Sequence, residues 1–168
     1  MIKRHQITLD LVHKIIPDDK IIFDLGQQNE MSLLMAKDYQ VINNTPKADF
    51  DKDQQEIIEL SQMANVCTSF EVFEHLLNPY AVLKSIESPY MLCTVPLNTW
   101  FKKAHWDKTD RRDRHFHEFE QRQFLWLLEE TGWDVISYGT FSASDKMGLM
   151  YFLRILYPNY LYVLAKRI

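Results

Sequence analysis

A chain of 168 residues with 46% apolar and 25% charged side chains has room for one well-filled core and the make-up of an ordinary soluble globular protein. Its net charge of -4 and pI near 5.8 argue against a general nucleic-acid binder, which carries a basic surface. Arg111, Arg112 and Arg114 alternate with Asp107, Asp110 and Asp113, so even the most basic stretch is no phosphate-binding stripe.

The first predicted element is a helix over His5–Ile16, with Ile7, Leu11 and Ile15 at helical spacing and Pro17 as its stop. "KIIFDLG" follows as a short buried strand that ends in an acid and a glycine. "NEMSLLMAKD" is a helix with Met31, Leu34 and Met35 on one face, and "YQVINN" is the second strand. "ADFDKD" is read as a possible short third strand with Asp49 near its start, and "DQQEIIELSQ" as helix or loop. "NVCTSF" is a β-rich run that gives way to the helix "NPYAVLKSI", and "YMLCTVPLN" is the next strand.

A long loop of charges and aromatics runs from Asn98 to about His117. "EFEQRQFLWLLEETG" is then a strong helix, with Phe124, Leu127 and Leu128 as its apolar stripe and Gly132 at its stop. "WDVISYGTF" and "YLYVLAKRI" close the chain as strands. Between them, Met147 to Ala165 is apolar but broken by Arg154, Pro158 and Asn159. It reads as a buried helix, a turn and the last strand rather than a membrane span. The amino terminus "MIKRHQITLD" shows no secretory pattern. Cys67 and Cys93, each in a predicted buried strand, read as reduced core residues, which suits a cytoplasmic protein. No repeat or linker divides residues 1–168, so a single domain is expected. Alternating strands and helices point to a parallel sheet covered on both faces.

This order, with the residues at its strand ends, resembles the class I S-adenosylmethionine-dependent methyltransferases, particularly the small-molecule type. "FEVFEHLLNP" is similar to the family's Glu-Val-x-Glu-His-Leu segment after its fourth strand. "CTVPLN" is similar to the fifth strand and its ending. "HEFEQRQFLWLLEETGWDV" is similar to the helix before strand six, and "YLYVLAKR" to the antiparallel terminal strand. The fold implied is α/β and doubly wound: a mostly parallel seven-stranded Rossmann-like sheet with an antiparallel last strand.

In such a sheet, ligands bind where the strand order reverses. The resemblance therefore implies S-adenosylmethionine as cofactor. It places Asp24, Gly26 and Gln28 at the first turn, leaves only Asn43, Asn44 and Thr45 for the ribose, and adds Asp49, Phe70 and Glu71 as further cofactor-binding candidates. Glycine at Gly26 lets backbone approach the ligand. Three departures stand out. Gln28 and Glu30 occupy positions where further glycines are usual, no acid ends the second strand, and "SIESPY" replaces the usual glycine turn before strand five. Asparagine can still bond a hydroxyl but without charge, so weak cofactor binding is expected.

His75 is the catalytic candidate, as a base needed only if the acceptor must lose a proton; the alternative is a histidine that fixes a helix start. Trp100, His105, Trp106 and His117 are acceptor-site candidates because the loop after a rigid strand commonly carries binding residues; the alternative is a satellite core. The spacing of His105, His115 and His117 matches no zinc pattern, so no metal is expected. The leading function is methyl transfer to a small-molecule or biosynthetic-intermediate acceptor, with no nucleic-acid partner. The alternatives are a catalytically inactive methyltransferase-like binding module and, more weakly, a dinucleotide oxidoreductase, whose Gly-x-Gly-x-x-Gly fingerprint is missing.

Overall fold

The structure is a computed structural model that describes residues 3–46, 48–100, 103–143 and 157–168. Its first half runs α1 (Lys3–Ile15), β1 (Ile21–Asp24), α2 (Glu30–Met35), β2 (Gln40–Asn43), α3 (Gln55–Gln62) and β3 (Val66–Phe70). A 3-10 turn (Phe73–His75) leads to α4 (Pro79–Ser85) and β4 (Tyr90–Pro96), and after a loop with a second 3-10 turn (Arg111–Asp113) come α5 (Gln121–Glu130), β5 (Trp133–Phe141) and β6 (Tyr160–Arg167).

The strands form one sheet in the order β2-β1-β3-β4-β6-β5. β1 pairs in parallel with β2 and β3, and β3 with β4, whereas β6 runs antiparallel between β4 and β5. The chain goes from β1 outward to β2 and then returns past β1 to β3. The strand order thus reverses between β1 and β3, and their carboxyl ends open a crevice there.

Period-two alternation along the central strands fills both faces. Ile22, Val66 and Leu92 point one way and pack with Val12 and Ile16 near α1 and Met31 and Met35 of α2. Phe23, Cys67, Met91 and Cys93 point the other way and meet Ile57 of α3, Val82 and Leu83 of α4, and Phe124 and Leu128 of α5. Central strands buried on both faces explain why their sequences read as continuous apolar runs. Both cysteines are free and buried, and burial pushes each thiol well up from its ordinary value, so they behave as inert core residues.

Local signals explain the element ends. Asn29 caps α2 by accepting from the backbone N–H groups of Met31 and Ser32, while Ser32 Oγ accepts from the Asn29 N–H. Pro79 takes the first turn of α4, where its missing N–H costs nothing. Gly132 ends α5 at φ +87°, as a left-handed helix terminus requires.

Two expectations need correction. The described residues hold six strands rather than seven, and the possible third strand at "ADFDKD" is a turn. There the backbone N–H groups of Lys52 and Asp53 both donate to the Asp49 carbonyl, and Lys52 Nζ bonds the Asp49 carboxylate at 2.6 Å. With Phe50 as its one large apolar side chain, the segment cannot alternate into a half-buried strand. Asp49 is thereby held in a surface turn, bonded to a lysine. The helix expected to begin at Met147 lies outside the described residues. No helix among the described residues is long and apolar enough to cross a membrane.

Candidate functional site

The crevice is built on Asp24, the last residue of β1, which is 3% exposed. Its carboxylate accepts from Ser32 Oγ of α2 at 2.6 Å, from Thr68 Oγ1 of β3 at 2.7 Å and from Asn43 Nδ2 of β2 at 3.3 Å. One side chain therefore ties three neighbouring elements to β1. Burial pushes the Asp24 carboxyl above its ordinary value, against the lowering effect of these hydrogen bonds.

The chain turns next at Gly26, whose φ of +128° is open to glycine and strained for any other residue. Asn44 clamps the turn: its backbone N–H donates to the Gly26 carbonyl at 3.0 Å, and its side-chain oxygen accepts from the Gly26 N–H at 3.1 Å. A Cβ built on Gly26 meets nothing within 4 Å, so the space above the turn is open.

Beside this turn lies a cleft of about 510 Å³. Asp24 and Leu25 at the end of β1, Phe70 and Glu71 at the end of β3, and Thr94 and Pro96 from β4 form its floor. Arg4, His5 and Thr8 of α1 wall one side, and Asn29, Glu30 and Met31 at the start of α2 adjoin them. Tyr160 of β6 and the loop residues His105, Asp113 and His115 complete it. The mixed charge suits a polar ligand: Arg4 donates to Glu71 at 3.3 Å, and Glu30 lies 3.3 Å from His5 Nδ1.

Glu71 is the one described non-glycine residue with positive φ, at 59°. A residue held there costs of order 1–3 kcal/mol, a cost that clusters at functional sites. Its backbone N–H donates to the Thr94 carbonyl at 3.1 Å and its carboxylate accepts from Thr94 Oγ1 at 3.0 Å, which fixes it at the cleft floor. Glu74 follows in the 3-10 turn and is fully buried. Burial, and next the charge of Glu71, raises its carboxyl well above the ordinary range. His75 is shifted the other way, first by burial and then by His115, so its ring favours the neutral form.

The loop after β4 folds back over this turn. The backbone N–H groups of Phe116 and His117 both donate to the Glu74 carbonyl, at 2.8 and 3.2 Å, and the His115 N–H donates to the His105 carbonyl. His75 and His115 meet edge to face, with ring centroids 4.9 Å apart.

Of the residues read from sequence as cofactor contacts, Asp24, Phe70 and Glu71 line the cleft. Gly26, Asn43 and Asn44 shape the turn beside it: Asn43 donates inward to Asp24, and Asn44 is 4% exposed. Gln28 is exposed, and neither it nor Asp49 lines the cleft. His75 and His105 line the cleft, whereas Trp100, Trp106 and His117 do not. Trp100 borders a separate hollow with Leu97, Thr99 and Gln121. Trp106 is 61% exposed and carries the Arg114 guanidinium 4.5 Å above its ring, and His117 stacks on Phe119. Sequence reasoning passed over Arg4, Thr8, Thr94 and Tyr160. Helical and strand periodicity marks which face is apolar and gives no sign of which polar residue faces a crevice.

Residues 7–138 match the model of a family described as a methyltransferase domain. The chain belongs to this family, one of the S-adenosylmethionine-dependent methyltransferases. No curated protein matches its sequence. Among solved structures, it is similar to the 1,6-didemethyltoxoflavin-N1-methyltransferase of Burkholderia thailandensis, solved with 1,6-didemethyltoxoflavin and S-adenosylhomocysteine. The two share 12% identity and a TM-score of 0.65, over 97% of this chain and 77% of that one. An S-adenosylmethionine-dependent methyltransferase of Mesorhizobium loti is similar at 14% identity and TM-score 0.59, over 94% and 96% of the two chains. The [4+2]-cyclase SpnF is similar at 11% identity and TM-score 0.61, over 97% and 80%. These likenesses agree on the fold. The family match favours the enzyme over the inactive module expected as its alternative.

Proposed function

We propose that this chain transfers a methyl group from S-adenosylmethionine to a small polar acceptor bound at the Glu71–His75 end of the cleft. The observation that carries the reading is the cleft itself, which lies at the carboxyl ends of β1, β3 and β4. Its volume, about 510 Å³, is that of a small-molecule site. The open space above Gly26 fits a cofactor laid against the turn. Asp24, Gly26, Asn43 and Asn44 would fix the shape of that wall, with Gln28 and Glu30 at its rim and Phe70 and Glu71 on its floor. The small heterocycle named with the Burkholderia enzyme supports an acceptor of similar size.

S-adenosylmethionine supplies a methyl group activated on a sulfonium, so the protein's main contribution is to hold the acceptor in line and keep water out. Arg4 and Glu71 orient polar groups of the acceptor. His75 is placed to take the proton that a hydroxyl or amine acceptor sheds, because its neutral ring keeps a lone pair on Nε2. His105 adds a polar wall. Trp100, Trp106 and His117 stand further out and act on acceptor entry or loop shape. Calorimetric titration with S-adenosylhomocysteine, then a panel of small hydroxyl and amine acceptors scored by S-adenosylhomocysteine release, tests the reading. One cofactor per chain and release with small acceptors is expected. Release with only protein or RNA acceptors, or no binding at millimolar ligand, would overturn it.

A further inference from the structure

Fully buried Glu74 is the most unusual side chain in the cleft, because among the described residues neither of its carboxylate oxygens has a hydrogen-bond partner. Such a buried group holds its proton and stays neutral unless a cation meets it and takes the proton's place. Arg4 contributes positive charge from nearby, but its guanidinium hydrogen-bonds Glu71, at 3.3 Å, and Tyr160. Two imidazoles stand closer to the role. Ligand atoms of Glu74, His75 and His115 all lie within 4.8 Å of one another, and His75 Nε2 is 3.8 Å from Glu74 Oε1.

Both rings are oriented for ligation from behind. His75 Nδ1 bonds the Arg114 carbonyl at 3.2 Å, and His115 Nδ1 bonds the Glu118 carboxylate at 3.0 Å. A carbonyl or carboxylate oxygen only accepts, so each Nδ1 carries a proton, which leaves Nε2 as the nitrogen free to ligate. A metal-ligating histidine has this same arrangement, with its second nitrogen held by a carboxylate or backbone carbonyl. The backbone makes the cluster durable, since the N–H groups of Phe116 and His117 donate to the Glu74 carbonyl and bring His115 over the turn.

We propose that Glu74, His75 and His115 bind one divalent first-row transition-metal ion at the acceptor end of the cleft. Two imidazoles and one carboxylate suit ions from manganese to zinc better than magnesium or calcium, which take oxygen ligands. Ligand atoms 2.0–2.2 Å from an ion stand roughly 3–3.4 Å apart, so the three side chains need to close by about an ångström of rotamer adjustment. All three residues line the cleft, so the remaining coordination positions open onto it. With the ion bound, the His75 lone pair is a ligand. The ion would then lower the pKa of a coordinated hydroxyl acceptor, whose proton would leave to solvent rather than to His75. Metal binding is measured without cofactor or acceptor, so its failure is distinct from failure of the methyl-transfer reading.

The test is titration of the whole chain, stripped with a chelator, with Co²⁺ followed by visible absorption, and with Zn²⁺ in competition. One ion per chain is expected, with Glu74→Gln and His115→Asn each weakening affinity at least tenfold. His13→Asn, which changes an exposed ring paired with Asp38, is expected to leave affinity unchanged. If Glu74→Gln fails to fold by circular dichroism, His115→Asn decides. Binding unchanged by His115→Asn, or lowered equally by His13→Asn, would mean ordinary surface imidazoles and overturn the site.

Discussion

Replacing Gly26 by alanine tests the turn on which the cofactor reading depends. The backbone at Gly26 has φ +128°, and a Cβ there meets no heavy atom within 4 Å. The substitution therefore brings no clash, and its whole cost is conformational. A non-glycine residue in such a region costs of order 1–3 kcal/mol, a large fraction of the ~5–15 kcal/mol that holds a domain folded. The strain can be released only by moving the turn, which gives up the two Gly26–Asn44 hydrogen bonds at about 0.5–1.5 kcal/mol each. Both routes carry a similar cost but show in different assays. If the turn holds, the urea midpoint falls and S-adenosylhomocysteine affinity is kept. If the turn moves, affinity falls by about tenfold for each 1.4 kcal/mol. A variant with the parent's urea midpoint and the parent's affinity would refute the reasoning.

Asp24→Ala strips the carboxylate acceptor from Ser32 and Thr68, while Asn43 keeps the backbone carbonyl of residue 24, and should cost about 2 kcal/mol or more by urea denaturation, since stranded buried donors cost ~1–3 kcal/mol each; Asp24→Asn should cost less. Glu74→Gln, in chelated protein, should gain stability over the parent as pH rises. The raised Glu74 carboxyl favours folding below its unfolded value and loses that advantage as pH climbs through the folded one; a pH-independent difference in urea midpoint would contradict this. Asn43→Asp, which sequence alone would offer as a restored ribose contact, should instead destabilise the protein. It places a second carboxylate against Asp24 in place of a donor 3.3 Å away, and an unchanged melting temperature with tighter S-adenosylhomocysteine binding would show the opposite. Trp106→Ala should leave S-adenosylhomocysteine affinity unchanged, because the ring stands outside the cleft, 61% exposed; a tenfold loss would place it in the site.

The sheet was legible because strands such as "IIFD" and "YMLCTV" are continuous apolar runs, as burial on both faces demands. The Glu71–His75 segment was legible by its spacing and resemblance. The failed third strand shows where apolar pattern runs out: Asp49 lay near the start of the expected strand, but its neighbours lacked apolar alternation and its carbonyl built a turn. Side-chain direction was equally hidden. Asn43 and Asn44 fell at the expected strand end, yet one points into the Asp24 brace and the other clamps Gly26. The pairing of His75 with the His115 segment depends on a contact between residues 39 apart, His75 and Arg114. No local pattern encodes that separation, nor the reach of Arg4 across 67 residues to Glu71.

The central claim is that the cofactor binds in the crevice between β1 and β3. Hydrogen exchange read by mass spectrometry, with and without saturating S-adenosylhomocysteine, locates it directly. Slowed exchange is expected in the segments around Leu25–Met31 and Phe70–His75, with little change along the edge strand β5. No slowing at millimolar ligand, or slowing confined to the separate hollow beside Trp100 and Gln121, would contradict the claim.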